Sequence, residues 1–214
     1  MEKYLQSCKS EFWKKVFKAE LDYILHQLKG TKDILSVGCG PAIIETGLAE
    51  HGFNVTGLDV SREALAQAPD SVRTVAGSAE KINFADCNFD AVIYVASIQF
   101  IERYKQAVKE CARVLRSGGK VLLMLLNPKS EFFREKTENP GSYINKIRHT
   151  NLREIERTTA AYFSVKTEYF LGIKGAEIFH SRDSDAAGLY VIKGIKKQKI
   201  SKKPGSQNES TSYI

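Results

Sequence analysis

Two short stretches hold the residues with the clearest chemical potential. Asp33-Ile34-Leu35-Ser36-Val37 is an apolar run that breaks into Gly38-Cys39-Gly40-Pro41-Ala42, and Val55-Thr56-Gly57-Leu58 is a second run that ends in Asp59. Glycine lets a backbone turn approach a ligand closely because no Cβ stands in the way. A carboxylate at the end of the next run can accept hydrogen bonds from a pair of hydroxyls. Asp59 lies 21 residues after Gly38, about the ~20-residue offset at which an acid in a βαβ unit reaches a ribose. The elements that must position these groups are a strand, a glycine turn, a helix and a second strand. Together they form a frame for a nucleoside.

A dinucleotide fingerprint would place a third glycine three residues after Gly40 for close helix–strand packing, and Ile43 stands there instead. The run Gly38-Cys39-Gly40-Pro41-Ala42 resembles the first motif of class I S-adenosylmethionine (SAM)-dependent methyltransferases. Further landmarks follow in order. Val72-Arg73-Thr74-Val75-Ala76-Gly77-Ser78-Ala79-Glu80 reads as a third strand and loop. Asn88-Phe89-Asp90-Ala91-Val92-Ile93-Tyr94-Val95 reads as a fourth strand, and Ser117-Gly118-Gly119-Lys120-Val121-Leu122 opens a fifth. This succession, from about residue 33 to 126, is similar to the type 11 group of methyltransferases.

That resemblance implies a Rossmann-like α/β fold. Its sheet is mostly parallel and seven-stranded with an antiparallel C-terminal strand, and helices cover both faces. It implies SAM as cofactor and an in-line methyl transfer. It also implies cofactor contacts from Gly38, Cys39 and Gly40 at the turn, from Asp59 and Val60 at the ribose, from Ser78, Ala79 and Glu80 around the adenine, and from Val95 and Ala96, with Ser97, beneath the methionine sulfur. Two positions depart from the group's pattern. It usually carries an acid where Ser36 stands, to orient the methionine amino group, and an aspartate where Ser78 stands. Both replacements are neutral, which leaves a catalytically silent SAM-fold binding or scaffold protein as a rival reading.

Composition narrows the alternatives. The chain has 214 residues, enough for one domain with a substantial core. No stretch approaches the ~20 apolar residues that span a bilayer, and the charged N-terminal region is no signal peptide. Cys8, Cys39, Cys87 and Cys111 lack C-x-x-C spacing, so they read as reduced cytoplasmic thiols with no metal site. Of the net charge of +7, residues 193–214 supply +5, from six lysines and Glu209. This basic tail, 196–214, lacks apolar periodicity and reads as a disordered solubilising segment. A nucleic-acid arm is the disfavoured alternative, and an RNA- or protein-directed methyltransferase stays open behind it. Ala96-Ser97-Ile98-Gln99-Phe100 also lacks the tetrad of amino-methyltransferases that act on DNA bases or protein glutamine.

The remaining organisation follows from periodicity. An amphipathic helix is expected over residues 3–29 and is stopped by Gly30. Core helices are expected near 42–51, 61–68 and 101–115. Residues 127–162 are helical in pattern, with a turn at Asn139-Pro140-Gly141 and an N-cap with a reciprocal acid at Asn151-Leu152-Arg153-Glu154. Two strands, 163–173 and 188–195, are joined by a long loop. The expected domain is thus 1–195, divided into an N-terminal helix (1–30), a SAM-binding core (33–126) and an acceptor side (127–195). Tyr143, His149 and His180 are the acceptor-side candidates for orienting or deprotonating a small-molecule acceptor, although an ordinary surface residue is the favoured reading of each. Phe12 and Trp13 either cover the cofactor or pack in the core. No catalytic base is assigned, because a sulfonium methyl needs one only for a poorly nucleophilic acceptor.

Overall fold

The computed structural model describes residues 10–198. A first helix, α1 (Glu11–Gln27), leads into β1 (Asp33–Val37), α2 (Ile43–Glu50), β2 (Asn54–Asp59), the single turn α3 (Arg62–Leu65) and β3 (Arg73–Ala76). Then come β4 (Phe89–Val95), a 3₁₀ turn (Ile98–Phe100), α4 (Tyr104–Val114), β5 (Leu115–Leu126) and α5 (Glu131–Glu138). A second 3₁₀ turn (Tyr143–Lys146) precedes α6 (Leu152–Ala160), β6 (Phe163–Lys174), β7 (Glu177–Phe179) and β8 (Ala187–Lys196).

The strands form one sheet in the order β3-β2-β1-β4-β5-β8-β6-β7. The first five are parallel, and β8, β6 and β7 are antiparallel. This is the expected architecture with one addition. The loop after β6 turns through Gly175 (φ +58°) and returns as the short edge strand β7, so the sheet has eight strands and not seven.

Side chains alternate across the central strands and divide the core in two. Ile34, Ala91, Ile93, Leu122, Met124 and Val191 bury against the α1/α2 side. Leu35, Val37, Val92, Tyr94, Leu123 and Ile192 bury against the α4/α6 side. Strands buried on both faces read as continuous apolar runs, which is why they were legible.

Several expected boundaries shift. The first helix ends at Gln27 with Leu28 as its C-cap, so the left-handed Gly30 (φ +77°) lies two residues beyond the cap, and the expected start at residue 3 lies outside the described residues. The helix expected over 61–68 is a single turn. Asn151 caps α6 by accepting from the Glu154 N–H at 3.1 Å, whereas the Glu154 carboxylate pairs with Lys105 at 2.7 Å and does not reach back to the cap. At the other end, Lys196 donates to the Leu115 carbonyl and Lys197 to the Ala160 carbonyl. The basic segment is therefore fastened to β5 and to the end of α6 by its first two lysines, and 199–214 lie outside the described residues.

Candidate cofactor and active site

The order of the sheet reverses between β1 and β4, so their carboxyl ends flank a crevice at a topological switch point. The glycine turn sits there. Gly38 (φ +75°) and Gly40 (φ +55°) both adopt left-handed backbone, and Ala42 (φ +59°) shares it at the start of α2. The two glycines serve different needs. A Cβ at Gly38 would lie 2.5 Å from the Cβ of Ser97, whereas one at Gly40 would meet nothing within 4 Å. Gly38 is required by the protein's own packing, and Gly40 faces open space.

Asp59 ends β2 beside this turn. One carboxylate oxygen accepts from the Gly40 N–H at 2.9 Å, and the other accepts from the Ser61 N–H at 2.8 Å. The carboxylate thus ties the glycine turn to the start of α3, where Ser61 in turn caps the helix by accepting from the Ala64 N–H. Each oxygen keeps a further acceptor position, so the same group can hold two ligand hydroxyls. Val60, next in the chain, is 74% exposed and offers an apolar surface beside the acid.

Cys39 turns its sulfur inward against Gly57, where an added Cβ would come within 2.6 Å of it. Burial, followed by the charges of Glu45 and Asp59, raises its thiol well above the ordinary range, so its contribution to a ligand is backbone. In the third-strand loop the Ser78 hydroxyl accepts from the Glu80 N–H at 3.1 Å, and Ala79 is buried. Glu80 clamps Arg103 through the Arg103 N–H (3.0 Å) and Nε (2.7 Å), and this partner holds its carboxyl below the usual range. Val95, Ala96 and Ser97 close the crevice below. Ala96 has φ +45° and donates to the Met124 carbonyl, and the Ser97 hydroxyl donates to the Val37 carbonyl at 2.6 Å.

Three participants escaped the sequence reading. Glu45, in the first turn of α2, is only 2% exposed, and the Ser36 hydroxyl, itself 1% exposed, donates to it. Burial pushes the Glu45 carboxyl up to about 7. An acid directly after a glycine turn was the available signal, hidden by its apolar neighbours Ile43 and Ile44. Gln99 is fully buried. Its amide donates to the carbonyls of Leu126 (3.1 Å) and His149 (3.3 Å), and its side-chain oxygen accepts from the Leu126 N–H at 2.7 Å. The third is Arg103, on Glu80.

The acceptor-side candidates separate. The Nε2 of His149 lies 3.0 and 3.1 Å from the carbonyls of Ile101 and Glu102 and is committed as a donor, with its ring 4.6 Å from that of Tyr104. Tyr143 stacks on Phe100 at 6.0 Å, beside the end of β4. His180 follows β7, five strand spacings or ~24 Å from β1. It lines a separate surface cavity of about 420 Å³ between α1 and β7. A second cavity, about 380 Å³ and lined by Lys120, Lys166 and Lys193, lies at the opposite end of the sheet from the glycine turn. Trp13 packs edge-on against Phe12 (5.2 Å) and Phe132 (6.1 Å). Phe12 and Trp13 pack against the same cluster as Val95, Ala96 and Tyr143.

Residues 35–123, which contain the turn, Asp59, the Ser78 loop and the end of β4, match a family model described as a methyltransferase domain. That region is similar to methyltransferase domains. The chain is similar to the ubiquinone biosynthesis O-methyltransferase of Alkalilimnicola ehrlichii, at 34% identity over 125 residues, covering 53% of this chain and 51% of that protein. The chain spans about half the length or less of the first curated relatives it matches. In structure the chain resembles a SAM-dependent methyltransferase from Thermotoga maritima described as a possible histamine N-methyltransferase. The TM-score there is 0.71 at 21% identity, over 85% of this chain and 89% of that one. It also resembles the [4+2]-cyclase SpnF (TM-score 0.67, 16% identity, 88% and 83% covered). The fold is therefore the one that the glycine turn and Asp59 led one to expect. Among the described residues no helix is long and apolar enough to cross a membrane.

Proposed function

We propose that the protein is a SAM-dependent methyltransferase with a small-molecule acceptor. The observation that carries this reading is Asp59, which bridges the glycine turn and the α3 cap while each of its oxygens keeps a further acceptor position. The local geometry fits the cofactor. Left-handed backbone at Gly38 and Gly40, open space beside Gly40, exposed Val60 and a buried carboxylate at Glu45 suit, in turn, a close-lying chain, a base and a charged amino-acid end.

SAM supplies an activated methyl on a sulfonium with a neutral leaving group. The residues then have mainly to orient the partners, and positioning of this kind can contribute ~7–11 kcal/mol. Gly38, Cys39 and Gly40 hold the amino-acid end through backbone, Asp59 holds the ribose, and Ser78, Ala79 and Glu80 flank the base. Val95 and Ala96 set the floor. The acceptor wall is apolar and aromatic, with Phe100, Tyr143, Phe12, Trp13 and Phe132 around the ends of β4 and β5, which suits an apolar or aromatic acceptor. His149 is a structural strut in this reading, and His180 stands apart. The cytoplasmic setting expected from the thiols is part of the same proposal.

The likeness to a cyclase keeps a binding or non-transferring role as the contrasting outcome. Calorimetry with SAM and S-adenosylhomocysteine tests the reading, followed by mass-detected methyl transfer to a panel of phenols, catechols and aromatic amines. Micromolar binding with transfer supports it. Binding without transfer to any acceptor supports the silent reading, and no binding removes both.

A further inference from the structure

The partners of Glu45, the Ser36 hydroxyl and a backbone N–H in its own helix turn, bring it no opposite charge. A carboxylate offers about four acceptor positions, and the side-chain donor that Glu45 receives is the Ser36 hydroxyl. Among the described residues no lysine, arginine or histidine forms an ion pair with it. The charged neighbour that acts on it is Asp59, of the same sign. A buried carboxylate facing a second carboxylate is costly when ionised unless a cation arrives. Glu45 and Asp59 both act on the Cys39 thiol, which sets the Glu45 carboxylate close to the glycine turn.

Resting on the SAM reading above, we propose that Glu45, oriented by Ser36, holds the cationic amino group of the bound nucleoside's amino-acid tail, and that this contact makes cofactor binding proton-linked. The acid acts from helix α2, nine residues along the chain from Ser36 on β1. The sign of the linkage follows from the burial that lifts the Glu45 carboxyl to about 7. Below that pH the group is protonated and must lose its proton to receive the ammonium, so affinity falls as pH falls.

The test compares two probes that share a nucleoside and a thioether. S-adenosylhomocysteine carries the amino-acid tail, and 5′-methylthioadenosine does not. In calorimetry, Glu45→Gln should weaken S-adenosylhomocysteine binding about 10–100-fold and leave 5′-methylthioadenosine within twofold. Wild-type affinity for the tailed probe should fall about eightfold between pH 7.5 and pH 6, while the tail-less probe stays flat. Ser36→Ala keeps the acid and removes its donor, so it should shift this pH midpoint upward. Equal losses for both probes, or no loss for either, would overturn the Glu45 assignment alone. If the wild type binds neither probe, the SAM reading falls and the assignment falls with it. Glu45→Gln preserves an acceptor for Ser36 and removes a buried charge, so its melting temperature should match or exceed that of the wild type.

Discussion

Replacing Asp59 separates the ligand from the scaffold. In Asp59→Ala the Gly40 and Ser61 N–H groups lose their acceptor, and the ribose loses its own. The two effects differ in size and in readout. A charge-assisted hydrogen bond contributes ~1.5–3 kcal/mol, so loss of one ribose contact should weaken S-adenosylhomocysteine binding by roughly 10–100-fold. Gly40 and Asp59 are only partly buried, so water can replace the lost acceptor for the freed N–H groups. The structural cost should then be close to that of a lost helix cap, ~1 kcal/mol, or ~2–4 °C in melting temperature for a chain of this length. Asp59→Asn retains one carbonyl oxygen and no charge, and it should fall between wild type and alanine in both measurements. Calorimetry and thermal denaturation on the same preparations give the two numbers. Affinity within twofold of wild type in Asp59→Ala would refute the ribose assignment. A melting loss above about 10 °C would show that the tether, and not the ligand contact, is the main role.

Further outcomes follow from the same structure. Gly40→Val places a Cβ in open space at φ +55°, so the variant should fold, by circular dichroism, yet lose cofactor binding measured by calorimetry; normal binding would mean the turn does not face the ligand. Glu20 on α1 is 5% exposed, and burial lifts its carboxyl to about 8. The native state therefore binds the extra proton between the unfolded value near 4.5 and about 8, and stability is lost as pH rises through that window. Glu20→Gln should accordingly be near neutral at pH 4.5 and more stable by up to ~4 kcal/mol at pH 8.5 in urea unfolding, and an equal effect at both pH values would contradict the burial argument. Truncation after Gln198 should leave S-adenosylhomocysteine affinity unchanged. Tight, salt-sensitive RNA binding that this truncation abolishes would favour the nucleic-acid alternative.

Much of the frame was legible because it depends on short-range pattern. Asp33–Val37 and Phe89–Val95 are apolar runs of strand length, and Asn54–Asp59 ends in an acid at the offset a βαβ unit imposes. Asn151 announces a helix start through its side-chain oxygen, and Gly30 marks a nearby stop through its left-handed backbone. Gly38 and Gly40 were recognisable as a turn, whereas the packing of Gly38 against Ser97 was not.

What the sequence by itself determined, then, is the order of the core elements, the βαβ frame and the place of Asp59 at the end of β2, since each follows from short-range pattern and spacing. Only the tertiary structure decided who meets whom across the chain. It set Ser97 against Gly38, which makes that glycine a packing requirement. It brought Ser36 to Glu45 across strand and helix. It committed His149 to carbonyls 47 and 48 residues away and placed His180 at the far edge of the sheet. These pairings depend on the switch in strand order and on which face each side chain takes, and neither distance nor facing is encoded in local periodicity.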